Sequence, residues 1–453
     1  MSSANEKHQS PASFRASTAY ILICCCVASF SDVFTYAVLP PVIPFALAEK
    51  AGTPQDQVQQ WVAILPAVTA GATVLASPFA GWLGDHSSRR KPLFVAAIFF
   101  QWVGIALITC GLHIALWIVG LAMFGVASAV VWATSLALII DQVPREKLAQ
   151  SLGFTGMSLS LGIFLGPVLG GLIYEHAGHY AVWGVVFGVS VVDLLLRLCL
   201  VETSKTVATG QTSFPTHSFA AFKLFRSPRM VCALVGAFAQ ATILTSFDAS
   251  LTIHVAKVFG WKSTAAGLLY LAFCFPSFAS PLIGMVADRL GAKLVLFAAF
   301  LLSTPVLASL QFVQKNDMSD KVLLVVLLLL LGSLLGSTIS VFSAEVSHVV
   351  SEMADETPGI WGARGAYAQA EAFWWASYTL GLAVGPLWGG FVQDAAGWSV
   401  LSISLAFLSL VASFPVIAFV GGPLSFGTRK AKTKHASLDN GSVSSTSVQS
   451  IDV

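Results

Sequence analysis

Charge is what this chain has least of. Only 10% of its 453 residues are Asp, Glu, Lys or Arg, where a soluble domain carries about a quarter. With 56% hydrophobic residues, that deficit excludes an ordinary water-soluble fold and leaves a polytopic membrane protein. The formal net charge of +2 gives no reason to expect a nucleic-acid partner; the sign of a charge matters here by its position along the chain. Metal-ligand spacings are missing as well. Cys24, Cys25, Cys26, Cys110, Cys199, Cys232 and Cys274 all fall in apolar runs, so neither a bound metal nor a disulfide framework is expected. Ser, His and Asp are scattered without a recognisable motif, and neither enzyme activity nor a cofactor is expected. The first apolar run is too long for a cleavable signal peptide and contains Asp32; it reads as a retained span.

What the chain does have is long apolar runs, at roughly 18–44, 60–83, 91–110, 114–140, 150–174, 178–200, 230–256, 264–287, 293–313, 322–350, 365–391 and 398–423, each long enough to cross a bilayer. Lipid offers no partner to a backbone N–H or C=O, so these about twelve spans must be helices. The organisation expected is a polar, disordered tail (1–17), a six-helix bundle (18–200), a Ser/Thr/Pro-rich linker (201–229), a second six-helix bundle (230–423) and a Ser-rich tail with a basic start (424–453). If the N-terminus lies in the cytoplasm, about 19 of the 24 Lys and Arg residues fall on the inner side. That bias predicts both termini inside.

One ten-residue pattern occurs twice. GIFLGPVLGG places Gly162, Gly166, Pro167, Gly170 and Gly171 at the offsets taken by Gly381, Gly385, Pro386, Gly389 and Gly390 in GLAVGPLWGG. Glycines at i, i+4 and i+8 form a smooth helix face against which another backbone can pack closely in lipid, and the proline is expected to bend the helix. Two copies half a chain apart imply two related halves, with spans 5 and 11 as an expected hinge seam.

Two short loops also correspond. Gly81, Asp85, Arg89 and Arg90 stand between spans 2 and 3; Gly284, Asp288 and Arg289 stand between spans 8 and 9. Positive-inside anchoring accounts for the basic residues but not for an Asp four residues after a Gly, twice. A latch accounts for both: the Asp meets a helix N-terminus or a cation, a contact worth on the order of 1 kcal/mol.

The remaining signal is acid buried in apolar runs. Asp32 lies about 21 Å into span 1, near mid-membrane. Asp248 lies in the outer half of span 7, and Glu345 and Glu371 lie nearer the inner ends of spans 10 and 11. A carboxylate at such depth costs several kcal/mol unless it is paired, protonated or facing water. These four are the candidate proton-coupling and substrate residues, because a proton and a cation compete for the same acid. Asp193 and Arg197, at i and i+4, read as a structural pair. His254 and His348 read as interfacial histidines. With no Lys or Arg at mid-depth, a shared cavity would favour a cationic or neutral amphiphile. Trp132, Phe247, Trp374 and Trp375 are its candidate aromatic lining.

These motifs resemble the major facilitator superfamily and, within it, the twelve-span drug:proton antiporters, over the whole chain except the tails. The loop from Gly81 to Arg90 is similar to the superfamily's loop signature, with Ser88 and His86 departing from it. The stretch from Gly162 to Gly171 is similar to the antiporter signature. Asp32 with Pro41 and Pro44, Phe247-Asp248, Glu345 and Tyr367-Ala368-Gln369 resemble the vesicular amine transporters and their fungal relatives. The resemblance implies an all-α membrane protein with the major facilitator fold, in two pseudo-symmetric bundles. It also implies a proton-coupled antiporter that exports a small cationic or neutral organic compound, a drug or a secondary metabolite, as a monomer in the plasma membrane or a vacuolar or vesicular membrane. Most relatives carry an Arg in span 4 where this chain has Leu121, so the usual basic participant in proton coupling is absent. An organic-acid or nutrient transporter of the same fold, and a non-transporting sensor or scaffold, are the alternatives.

Overall fold

The computed structural model describes residues 15–421 except residues 16, 51, 53, 88, 202–219, 262–268, 270, 359 and 362–365. The tails and most of the linker therefore lie outside the described residues. The helices are α1 (Thr18–Glu49), α2 (Gln55–His86), α3 (Lys91–Cys110), α4 (Ile114–Gln142), α5 (Leu148–Ala177), α6 (His179–Cys199), α7 (Pro228–Phe259), α8 (Ser280–Leu290), α9 (Ala292–Ser309), α10 (Met318–Leu334), α11 (Ile339–Glu356) and α12 (Tyr367–Phe419).

Among the described residues, eleven helical stretches are long and apolar enough to cross a membrane. The last, α12, has 53 residues, about 80 Å of helix, which is two crossings of a ~30 Å hydrocarbon core. It breaks at Gly397, where φ is 85°. The crossings therefore number twelve. Gly178, between α5 and α6, has φ 79° and stands sixteen residues after Gly162, as Gly397 stands sixteen after Gly381. Only glycine enters this backbone region without strain. The internal repeat thus runs on through the turn that follows each glycine helix.

An even number of crossings puts Thr18 and Phe419 on one face, called here the terminal face; the opposite one is the far face. Within the first six helices α1 packs on α5 and α2 on α4; within the last six, the first part of α12 packs on α7 and its second part on α9. The tenth span is not one helix. A 3-10 turn at Gly336–Thr338 separates α10 from α11, beside a second 3-10 segment at Phe275–Ala279 that precedes α8. A Cβ at Gly332 would stand 2.0 Å from the Phe273 carbonyl oxygen, so the two segments cross too closely for any larger residue. There the Ser337 hydroxyl donates to the Pro276 carbonyl at 3.0 Å.

The glycine faces do not form a seam between spans 5 and 11. Gly162, Gly166 and Gly170 of α5 lie against Val33–Val38 of α1, with Gly171 near Pro41. Gly381, Gly385 and Gly389 of α12 lie against Phe238–Ser246 of α7, and Gly390 is half-buried beside them. Both α5 and α12 continue through Pro167 and Pro386. Each face is turned into its own half because that is where the closest backbone approach is needed: added Cβ atoms would come to 2.5 Å from Ala37 and to 2.0 Å from the Ser246 carbonyl oxygen.

The Asp193–Arg197 pair is fully buried. Arg197 donates to both Asp193 oxygens at 2.8 and 2.5 Å and to the Phe94 carbonyl at 2.5 Å, with its guanidinium 4.0 Å from the Phe94 ring centroid. It ties α6 to α3. Removing one partner of such a pair strands a charge at a cost of about 3–5 kcal/mol, whereas replacing both by apolar residues is often near neutral. Asp193→Asn is therefore expected to lower thermal stability in detergent sharply, and the Asp193→Leu/Arg197→Met double variant to recover most of it.

Candidate functional site

Asp32 is 2% exposed. Its Oδ2 accepts from the Ser128 hydroxyl at 2.7 Å and from the Trp132 indole N–H at 2.9 Å. Both donors come from α4, where they lie one turn apart, and both are neutral. Among the described residues, Oδ1 has no hydrogen-bond partner, and neither do the nearby Ser29 and Ser31 hydroxyls. Leu121, in place of a cation, is fully buried in an apolar cluster with Phe34, Leu65 and Trp117.

Trp132 belongs to the first half and stacks on Trp375 of the second, with ring centroids 3.8 Å apart and planes 12° from parallel. Trp374 lies 6.1 Å from Trp132, and Tyr378 stacks at 5.8 Å on both Trp374 and Trp375. These four rings are buried. One helical turn toward the terminal face from Trp375 lies Glu371, 0% exposed. It accepts from Ser343 at 2.8 Å and Ser347 at 2.7 Å, both on α11. Packing of α11 on α12 removes it from water although it lies near a helix end. Further along α11, Ser351 meets the Tyr367 hydroxyl at 2.9 Å. An aromatic stack between the halves therefore has a buried acid on each side of it, one from each half.

The other predicted residues are placed elsewhere. Asp248 is exposed, yet its charge reaches Tyr36 of α1, Tyr378 of α12 and Cys274. It faces the junction of the halves on the far side of the stack. Phe247 does not line that junction. It is 1% exposed and lies 5.9 Å from Phe273 and 6.3 Å from Trp398, in the core of the second half, because neighbouring residues of a helix point about 100° apart. Glu345 is likewise not joined to the buried acids. It accepts from the Arg229 guanidinium, which also binds Glu352, and from the Gly421 N–H at 2.6 Å. This ion-paired cluster at the terminal face ties α7 to α11 and to the end of α12. His254 stacks on Trp398 at 3.9 Å and hydrogen-bonds the Val313 carbonyl, a packing role at the far face.

At the terminal face the halves exchange caps. Asp85, 4% exposed, accepts from the N–H groups of Ala368 and Gln369 at 2.9 and 3.0 Å and from the Gln369 side chain at 3.2 Å. Asp288 accepts from Ala149 and Gln150 N–H at 3.0 and 2.9 Å. Among the described residues, neither α5 nor α12 has a side-chain cap from its own N-cap residue. Each receives one from the opposite half, where the helix dipole favours a carboxylate. The glycine four residues earlier makes the approach possible: a Cβ at Gly81 would lie 2.5 Å from the Gln369 Cα, and one at Gly284 2.2 Å from the Ala149 carbonyl oxygen. Arg90, 6% exposed, lies 3.6 Å from Asp85 and 3.2 Å from Asp141. Arg89 and Arg289 are exposed on the same face.

Ser128, Tyr378, Ser343 and Ser347 were not identified from sequence, and Gln369 was noted only as part of a resemblance, not as a partner of Asp85. The available signal was spacing: Ser128 precedes Trp132, and Ser343 precedes Ser347, by one helical turn.

Two six-helix halves that meet over a buried acid and an aromatic stack, and clasp each other at one face, define a polytopic membrane transporter. The chain belongs to the Major Facilitator Superfamily, whose family model matches residues 25–363 and 234–447. That family consists of transporters, not enzymes. The chain is 28% identical over 423 residues to the uncharacterized MFS-type transporter C18.02 of Schizosaccharomyces pombe, covering 88% of this chain and 94% of that one. It is 27% identical to MFS-type transporter ppzB of Metarhizium rileyi, covering 90% and 96%. A more distant likeness is to multidrug resistance protein MdtG of Escherichia fergusonii, 27% identical over 62% of this chain and 69% of that one. Among solved structures, the human organic anion transporter MFSD10 (TETRAN) superimposes with a TM-score of 0.68 over 88% of this chain and 99% of that one; at 16% identity it is a likeness of fold.

Proposed function

We propose that this protein is a proton-coupled antiporter that exports a small cationic or neutral amphiphilic organic compound by alternating access, acting as a monomer. The observation that carries this reading is Asp32: a buried carboxylate near mid-span, held by two neutral donors, with one oxygen unpartnered and no cation bonded to it among the described residues. A group so placed is stabilised by taking up either a proton or a cation, and exchange of one for the other links two fluxes. The aromatic stack beside it suits the flat or amphiphilic body of an organic cation. The basic bias of the loops favours a cytoplasmic terminal face, and on that reading the clasped state is the one that faces outward. The plasma membrane is the proposed site of action, and drug or secondary-metabolite export the proposed role.

Reconstitution tests this. In proteoliposomes, a lipophilic cationic dye is expected to undergo counterflow and to accumulate when a pH gradient is imposed, while a dicarboxylate does neither. Dicarboxylate counterflow with no response to the dye would overturn the proposal in favour of an organic-acid transporter. Exchange of neither, with no proton flux, would favour a sensor.

A further inference from the structure

Resting on that reading, we propose that Trp132 is the positioning residue that converts the charge state of Asp32 into closure of the two halves. One indole does two things at once. Its N–H is donated to Asp32 Oδ2 within the first half, and its ring is stacked on Trp375 of the second half. Both contacts are made by one rigid ring, so tilting the ring out of its plane disturbs both at once. Among the described residues nothing else bonded to Asp32 reaches across: Ser128, its other donor, is 4% exposed on the same helix as Trp132.

An ionised carboxylate holds an N–H about twice as strongly as a neutral acceptor does. With Asp32 charged, the indole is pinned in the orientation that meets Trp375. A proton arriving from the far side has Oδ1 to bind, the oxygen without a partner. The new O–H neutralises the acid, weakens the grip of Oδ2 on the indole and frees Trp132 to leave the stack, so that the halves can part toward the terminal face. Leu121 lies about two helical turns from Ser128, in the apolar core, and the partners that span 4 gives Asp32 are both neutral.

Two other acids lie near this point, Glu371 of α12 and Asp248 of α7, whose charge reaches Tyr36, and the Asp32→Asn control separates their titration from that of Asp32. From α1, Tyr36 lies one turn beyond Asp32. From α6, Asp193 and Arg197 are the charged groups whose field reaches it, and they are bonded to each other. α5 packs there through Gly162 against Val33 and Phe34. α12 contributes Trp374, Trp375 and Tyr378, with Glu371 one turn below.

The experiment uses the full chain in lipid nanodiscs, with spin labels at Arg89→Cys and Arg289→Cys, exposed positions on opposite halves of the terminal face, in a Cys110→Ser/Cys199→Ser background. Distances are read at fixed pH with no gradient. Asp32→Asn, which mimics the neutral acid, is expected to raise the open-to-closed ratio at least tenfold. Trp132→Phe, which keeps a ring against Trp375 but removes the N–H, is expected to do the same, and the double variant to add less than a further threefold. A Trp132→Phe protein that stays closed while Asp32→Asn opens, or effects that multiply, would overturn the lever. If Trp132→Phe fails to fold, the Trp132 chain is titrated instead: the closed population should fall with pH and stop responding in Asp32→Asn, and an unchanged response in that variant overturns the proposal. None of these readouts requires proton transport, so a failure of the antiport reading in proteoliposomes is seen separately.

Discussion

Asp32→Asn is expected to reduce pH-gradient-driven export at least a hundredfold while leaving membrane expression and downhill exchange within a few-fold of the unaltered protein. Asn has the size of Asp and keeps an acceptor for the Ser128 hydroxyl and the Trp132 N–H, so the first half still folds around it, although its weaker hold on the indole shifts the balance between open and closed states. What it loses is the capacity to carry a charge. A carboxylate 2% exposed costs several kcal/mol to keep ionised without a cation, and nothing in the packing requires that expense: an amide would satisfy both donors. The acid is therefore best explained by what it binds in turn. A hundredfold loss corresponds to about 2.7 kcal/mol, less than the charge at this depth costs. Gradient-driven dye efflux measured beside surface expression decides the matter; unchanged efflux at normal expression would remove Asp32 from the coupling.

How much of this was legible beforehand depended on whether the information was local. Spans, halves and the clasp loops could be read because lipid imposes length and apolarity on each segment and because Gly81–Asp85 and Gly284–Asp288 carry their spacing in one short stretch. An Asp four residues after a Gly already implied an anion presented beside a close helix contact, though not that the capped helix would belong to the opposite half. The direction of the glycine faces was not legible. Gly166 and Gly385 announce a close neighbour without naming it, and α1 and α7 rather than each other are those neighbours. Phe247 and Asp248 are adjacent in sequence, yet one enters a core and the other the junction, a rotation that composition does not register. Glu345 and Glu371 had equivalent positions near helix ends; what separates them is Arg229 on one side and two serines on the other, partners more than twenty residues away in every case. Trp132 was identified as a cavity aromatic, but its hydrogen bond to a residue one hundred positions earlier was not.

The clasps are arranged so that each ties a glycine helix of one half to a loop of the other: Asp288 to α5, Asp85 to α12. Those two helices pack on α1, which carries Asp32, and α7, which carries Asp248. Opening the terminal face therefore breaks both caps and moves both acid-bearing helices together. The strength of the clasp follows from burial. On a solvated loop it would be worth on the order of 1 kcal/mol. Asp85 is buried, and hydrogen bonds to a charged group contribute about 1.5–3 kcal/mol each, which puts its two backbone bonds at roughly 3–6 kcal/mol. Asp288 is half-buried, and solvent screening cuts its share to about half of that. Their sum is comparable to the ~5.5 kcal/mol that carries a two-state equilibrium from 99:1 to 1:99. The two N–H groups at each clasp use different carboxylate oxygens and Asn offers only one, so one bond is lost and the clasp is roughly halved. Asp85→Asn is then expected to raise the open-to-closed ratio by roughly 10- to 150-fold, Asp288→Asn by roughly 4- to 12-fold, and the double variant by about the product of the two, read as label distances across Arg89 and Arg289. Multiplying effects indicate one concerted opening. A double variant no more open than Asp85→Asn would mean that the two clasps release separately, and an unshifted Asp85→Asn would mean that neither holds the halves closed.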